Sequence, residues 1–362
     1  MDRRDFLRFS GLASAGMAFP GAITSAFADV APGDNWKLFE VTTRVEILKP
    51  DGVTRVWLPT PLSWDTEYQK GLGNVFKAEG GTSGVSTDWK SGTRLVWAEW
   101  PAGVAPVLTH VQRFATRDVA VDFTKPAHAP AENPAVLAFY TAASDHVPTR
   151  GKVKEMSDDI VKGQKNDIDK AHALYEWICE NTWRDPKTRG CGKGDINFML
   201  ENKAWGGKCA DLNALFVAFA RSQDIPARDV YGVRVAGSQL GYKSLGKTGG
   251  DITKAQHCRA EFYTAGYGWV PVDPADVRKV ILEEDGGKKP DDPMVLAARK
   301  RLFGSWEMNW LAYNTGNDVS LPNAALGKVP FLMYPQAETA GARVDPLDSD
   351  NFKYTISSKE LA

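Results

Sequence analysis

Residues 204–235 read AWGGKCADLNALFVAFARSQDIPARDVYGVRV, the most informative stretch of the chain. Gly206-Gly207 allow a tight backbone approach, and beyond them Leu212, Leu215, Phe216 and Phe219 recur at helical steps. The spacing predicts a buried helix with Cys209 in its first turn. The helix ends near Gln223-Asp224, because Ile225-Pro226 forces extended backbone, and DVYGVRV then reads as a strand. The place of Cys209 has a chemical consequence. Unpaired N–H groups and the positive end of the helix dipole stabilise a thiolate, which is the reactive form of cysteine.

A second segment, QHCRAEFYTAGYGWVPVDPADV (residues 256–277), has two strand-like runs flanking the turn TAGYG. A hairpin centred near Ala265 makes His257 and Asp273 directly opposed neighbours on one face. A carboxylate beside a histidine fixes its tautomer and stabilises imidazolium. A cysteine at a helix start with a His and an Asp on a hairpin supplies a nucleophile, a base and an orienter. Taken singly, each residue would read as a buried thiol or a satisfied core histidine.

The combined pattern, G-x-C-A-D-x-x-x-L-F-x-A-x-A-R-x-x-x-I-P-A-R followed by His257 and G-W-V-P-V-D-P, resembles the transglutaminase-like superfamily over roughly residues 150–280. The resemblance implies an α+β, papain-related catalytic domain whose Cys-His-Asp triad falls on Cys209, His257 and Asp273. Many members carry His-Ala-Trp where this chain has His257-Cys258-Arg259, which removes the aromatic wall of the usual acyl channel. The implied activity is cysteine acyl transfer on peptide or glutamine-type amides through a thioester. The oxyanion would meet the Cys209 backbone N–H and one side-chain donor, for which the Trp205 indole is the candidate, a packed wall residue being its alternative role. A cysteine peptidase or amidase with the same triad is the alternative within this chemistry, and a non-catalytic peptide-binding or scaffold protein is the alternative outside it. Neither metal nor organic cofactor is expected, and the expected partner is a protein or peptide substrate.

Residues 1–28 read as a signal peptide: Arg3-Arg4 precede Phe6-Leu7, a mildly apolar stretch follows, and Ala26-Phe27-Ala28 forms a small-x-small cleavage site. The arginine pair resembles the signal read by the twin-arginine (Tat) translocase and implies a periplasmic protein. Residues 29–128 alternate apolar and polar residues between turn signals, which argues a small β-sandwich preceding the catalytic domain. KPAHAPAENP (residues 125–134) reads as a linker. His110 and His128 lack partners in the sequence and read as structural, and His172 lies off the apolar stripe of a helix over residues 167–182. Residues 129–362 are assigned to the catalytic domain, with the strand-like runs beyond Ile281 extending it.

Four cysteines remain, Cys179, Cys191, Cys209 and Cys258. Three arrangements are open for the spare thiols: a Cys191–Cys258 bond, a Cys179–Cys191 bond, or none. The spacings lack the paired ligands of a zinc site. With 44 basic against 45 acidic residues the formal net charge is -1, which argues against a nucleic-acid partner. No long apolar run outside the N-terminus suggests membrane insertion of the mature chain.

Overall fold

The computed structural model describes residues 35–125 and 128–361, so the expected signal peptide lies outside the described residues. The N-terminal part consists of β1 (Lys37–Ile47), β2 (Thr54–Pro59), β3 (Gln69–Glu79), β4 (Thr82–Asp88), β5 (Thr93–Trp100), β6 (Val107–Thr116) and β7 (Val119–Ala120). Helices α1 (Pro134–Thr141), α2 (Lys152–Ile160) and α3 (Asp167–Asn181), strand β8 (Trp183–Arg184), α4 (Ile196–Asn202) and β9 (Gly206–Gly207) lead to α5 (Cys209–Ser222). Then follow β10 (Ala227–Arg234), β11 (Gln256–Thr264), β12 (Gly268–Val272), α6 (Pro274–Glu283) and α7 (Pro293–Arg301). Strands β13 (Ser305–Trp306), β14 (Trp310–Asn314), β15 (Val319–Ser320), β16 (Lys328–Val329), β17 (Gln336–Thr339), β18 (Ala342–Val344) and β19 (Phe352–Leu361) close the chain.

Strand β1 shows the period-two burial its sequence predicts, Val41, Val45 and Ile47 pointing inward. Two sheets, ordered β19-β1-β6-β3 and β18-β17-β2-β5-β4, face each other across a core that includes Val45, Leu108 and Phe352 from one and Val56, Val96 and Ala337 from the other. This is the expected sandwich with one correction. The C-terminal strands do not simply extend the catalytic region: β19 pairs along almost the whole of β1, and β17 pairs with β2. Only β14 joins the catalytic sheet. The reason is edge satisfaction, since β1 and β2 would otherwise leave rows of backbone donors and acceptors unpaired.

The second layer is an antiparallel sheet ordered β12-β11-β10-β14, with α5 packed over β10 and β11 and surrounded by α2, α3 and α6. Every residue of α5 is buried. A helix apolar on all sides must be enclosed, and Leu212, Leu215, Phe216, Phe219 and the alanines between them meet that condition. Helix α3 is capped by Asn166, whose side-chain oxygen accepts the Asp169 N–H at 2.9 Å. Farther along the face of the first sheet that lines the sandwich core, Phe39, Phe114 and Ile356 pack on Val233, Leu311 and Tyr313, tying sandwich and catalytic sheet together.

Candidate active site

Cys209 is the first residue of α5, and the loop before it is held by one carboxylate. Asp211 accepts the backbone N–H groups of Lys193 (2.9 Å), Gly194 (3.0 Å) and Lys208 (3.0 Å), anchoring the Gly-rich loop onto the first helical turn. At Gly192, where φ is +95°, a Cβ would sit 1.8 Å from an Asp211 oxygen, so only glycine fits. The sequence carries this signal as Lys208-Cys209-Ala210-Asp211, half of a capping box, and Asp211 is a functional residue beyond the expected triad.

The hairpin is displaced from its expected register. Thr264 pairs with Gly268 and Ala260 with Val272, so the turn centres on Gly266 rather than Ala265. Gly266 takes φ +84°, and Tyr267 N–H closes the turn on the Thr264 carbonyl at 3.2 Å. Asp273 therefore lies beyond the end of β12, as the N-cap of α6, and is not directly opposite His257. A shift of two residues leaves the face unchanged, and the carboxylate reaches His257 diagonally. His257 Nε2 lies 2.7 Å from Asp273 Oδ2, while Asp273 Oδ1 accepts the Asp276 N–H at 3.1 Å.

A second carboxylate stands behind the first. Asp276 Oδ1 lies 3.4 Å from His257 Nε2 and is held by a two-pronged bond from Arg234 Nη2 at 2.6 and 2.7 Å. Asn213, one turn along α5 from Cys209, donates to the Cys258 carbonyl (2.8 Å) and to Asp273 Oδ1 (3.2 Å). Trp310 Nε1 donates to the His257 carbonyl at 2.9 Å, and Arg259 Nε lies 3.6 Å from Asp273. Asp276 sits three residues beyond Asp273, a spacing visible in D-P-A-D, whereas nothing in the sequence pointed to Asn213 or Arg234. Their partners lie too far away along the chain.

This arrangement sets the charges. Burial and the Arg234 charge push the His257 imidazolium down, but Asp276 and Asp273 outweigh them and hold its pKa at about 9. Hydrogen bonds from the Cys191 and Cys258 thiols hold Cys209 well below an ordinary thiol; burial opposes this, and the His257 ring adds a hydrogen bond and its charge. Burial raises Asp273, with Asp276 adding to the rise. Burial also opposes ionisation of Asp276, yet Arg234 drives its pKa well below the carboxylate range. With Nε2 engaged by Asp273, Nδ1 is the ring nitrogen left for sulfur. These neighbours favour a thiolate on Cys209 and a proton on His257, with two acids behind the ring.

All four cysteines are free thiols, and Cys191 and Cys258 both hydrogen-bond Cys209, while Cys191 Sγ also donates to the Gln256 carbonyl at 3.3 Å. Cys179 is buried in the same core, where its thiol hydrogen-bonds Tyr175. Trp205 departs from expectation. It does not line the Cys209 cleft, and its indole packs edge-on against Trp177 at 5.5 Å, so it builds core rather than an oxyanion pocket. Tyr334, unmarked in the sequence, lines the cleft instead and hydrogen-bonds Cys191. His110 is buried against Asn74 at 3.3 Å, its pKa pushed down to about 3 by burial. His172 is half exposed and packs edge-on against Phe303. Among the described residues, His257, Asp273 and Asp276 group closely enough to share an ion, but His257 Nε2 and the carboxylates already satisfy one another and Arg234, which leaves no free donor set.

Residues 154–274 match the family model of the transglutaminase-like superfamily, spanning the helix that carries Cys209 and the hairpin that carries His257. The chain belongs to the transglutaminase-like superfamily. An uncharacterized protein of Haemophilus influenzae is 34% identical over 344 residues, 90% of this chain and 92% of that protein. A candidate cysteine protease from Cytophaga hutchinsonii has the same fold at 15% identity, with a TM-score of 0.56 over 91% of this chain and 92% of its own. The periplasmic domain of TgpA from Pseudomonas aeruginosa overlaps at a TM-score of 0.34 and 14% identity, covering 63% of this chain and 88% of its own. As a transglutaminase-like protein, the chain combines the superfamily's α5 and hairpin with a β-sandwich completed by both ends of the described chain.

Proposed function

We propose that this protein is a cysteine acyl-transfer enzyme acting on peptide or glutamine-type amides. The observation that carries the reading is the Cys209 thiol, held well below its ordinary pKa beside an imidazole held at about 9, at the edge of a cleft of about 580 Å³. Cys209 Sγ attacks the amide carbonyl, and the carbon–nitrogen bond breaks to leave a thioester. The His257 imidazolium gives its proton to the departing amine. His257 then takes a proton from the resolving nucleophile, which displaces sulfur and restores the ion pair. Asp273 keeps the ring oriented, and the Cys209 N–H, in the first helical turn where donors lack helical partners, meets the oxyanion.

Hydrolysis is the second reading, and one observation favours it. Aminolysis outcompetes water only where water is excluded. No tryptophan lines this cleft among the described residues, while Lys208, Lys247, Lys254 and Lys353 do. Incubating a glutamine peptide with a dansylated primary amine tests both outcomes: dansyl incorporation supports transfer, and release of free acid with ammonia supports hydrolysis. Failure of the wild type to consume any amide, together with no more alkylation at Cys209 than at Cys179, would leave only a scaffold role.

Export is part of the proposal. Arg3-Arg4 and Ala26-Phe27-Ala28 support a Tat-dependent periplasmic location with a mature N-terminus near Asp29. Replacing both arginines with lysine should trap the precursor in the cytoplasm, read by mass spectrometry of the fractionated protein. An unprocessed cytoplasmic wild type would refute it.

A further inference from the structure

The cleft that holds Cys209 has one sign of charge. Arg184, Arg234, Lys279, Lys208, Lys247, Lys254 and Lys353 line it, and among its described lining residues there is no carboxylate. The whole chain is nearly neutral, at -1, so this charge is concentrated locally. Three of the seven are already committed. Arg234 is paired with Asp276, Arg184 with Glu283, and Lys279 lies 3.4 Å from Glu283 while donating to the Ser244 carbonyl at 2.6 Å. The other four are lysines. Lys353 approaches Glu46 only to 3.9 Å, and the exposed Asp251 feels Lys247 and Lys254 but has its own oxygen on the Thr253 N–H at 2.9 Å.

The positions of these lysines give them a use. Lys208 immediately precedes the nucleophile, and Lys247 and Lys254 lie on the segment between β10 and the His257 strand. Lys353 is on β19, across the cleft. We infer that the cleft selects acidic peptides, with carboxylate side chains on both sides of the amide presented to Cys209. This rests on the acyl-transfer reading of the same site and adds the substrate class. A groove lined by one sign of charge over low-dielectric walls focuses its field, raising local substrate concentration and association rate. Lysines on flexible stems suit carboxylates presented at varied positions along a peptide better than a fixed fork would.

The test uses three fluorescein-labelled peptides that share a central glutamine and carry flanking Glu, Gln or Lys. Binding is measured to the Cys209→Ala protein by anisotropy, and turnover to the wild type as kcat/KM. The Glu peptide should bind about tenfold more tightly than the Gln peptide at low salt, the size that two or three partly screened charge contacts supply. The advantage should disappear near 0.5 M salt, where the screening length falls to ~4 Å. Lys247→Glu with Lys254→Glu, both exposed and outside the reacting groups, should reverse the preference toward the Lys peptide. Equal binding of the three peptides, or a preference that ignores salt and the double substitution, overturns the inference. Turnover without acidic preference would leave the acyl-transfer reading standing, whereas salt-sensitive acidic binding without turnover of any peptide would refute that reading alone.

Discussion

Replacing Cys209 with alanine should change how folding stability depends on pH, by an amount the site itself sets. His257 is raised from 6.5 to about 9 in the folded protein. Its contribution is therefore fully present below pH 6.5 and is lost as the pH rises through about 9, a loss of about 3 kcal/mol. Cys209 has the opposite sign. Its folded pKa is depressed below the ordinary 9.0, so its contribution is present above 9.0 and is lost as the pH falls toward the folded value. Above the folded pKa of Cys209 and below pH 9, the folded pair holds one proton on His257 and the unfolded pair, once its histidine is neutral, holds one on Cys209, so the two slopes cancel. Without the thiol only the histidine slope remains. The stability gap between wild type and Cys209→Ala should therefore widen as the pH rises toward 9, by at most about 3 kcal/mol over pH 6.5 to 9, measured by urea unfolding at constant ionic strength. Asp229, raised to about 7 chiefly by burial, titrates in both proteins; the Cys209 charge adds a smaller part of that rise, so most of its slope cancels in the difference. A gap that stays constant over this range would refute the thiolate–imidazolium assignment.

Iodoacetamide at mildly acidic pH should modify Cys209 before Cys179, whose thiol burial pushes up; peptide mapping showing equal labelling would count against the nucleophile. Amide turnover should collapse in Cys209→Ala or His257→Ala and fall less in Asp273→Ala, because Asp276 remains 3.4 Å from the ring; steady-state kinetics in which Asp273→Ala is the worst of the three would reassign Asp273 to folding. Asp211→Asn keeps one acceptor oxygen where two now hold three N–H groups, and should cost about 1–3 kcal/mol in urea unfolding. Trp205→Phe keeps the edge contact with Trp177 and should leave kcat/KM nearly unchanged, which the same kinetics check.

The order of elements around the site was readable because local chemistry dictates it. Apolar residues at helical steps after Cys209, Pro226 after the helix and alternation in β1 and β11 are each decided within a few residues. So was the side of the sheet shared by His257 and Asp273, since strand faces alternate with period two and an error of two residues preserves them. The turn centre was not readable, because Ala265 and Gly266 both suit a hairpin and only the pairing of Thr264 with Gly268 chooses between them. Trp205 could face the cleft or the core from sequence alone, and Trp177, many residues earlier, decided for the core. The same distance in sequence hid Arg234 behind Asp276 and brought β19 onto β1. Local spacing thus determined which residues are the candidates for the chemistry. Which charges surround them was left to the tertiary structure, because electrostatic neighbours act through space and are assembled only when remote segments close the cleft.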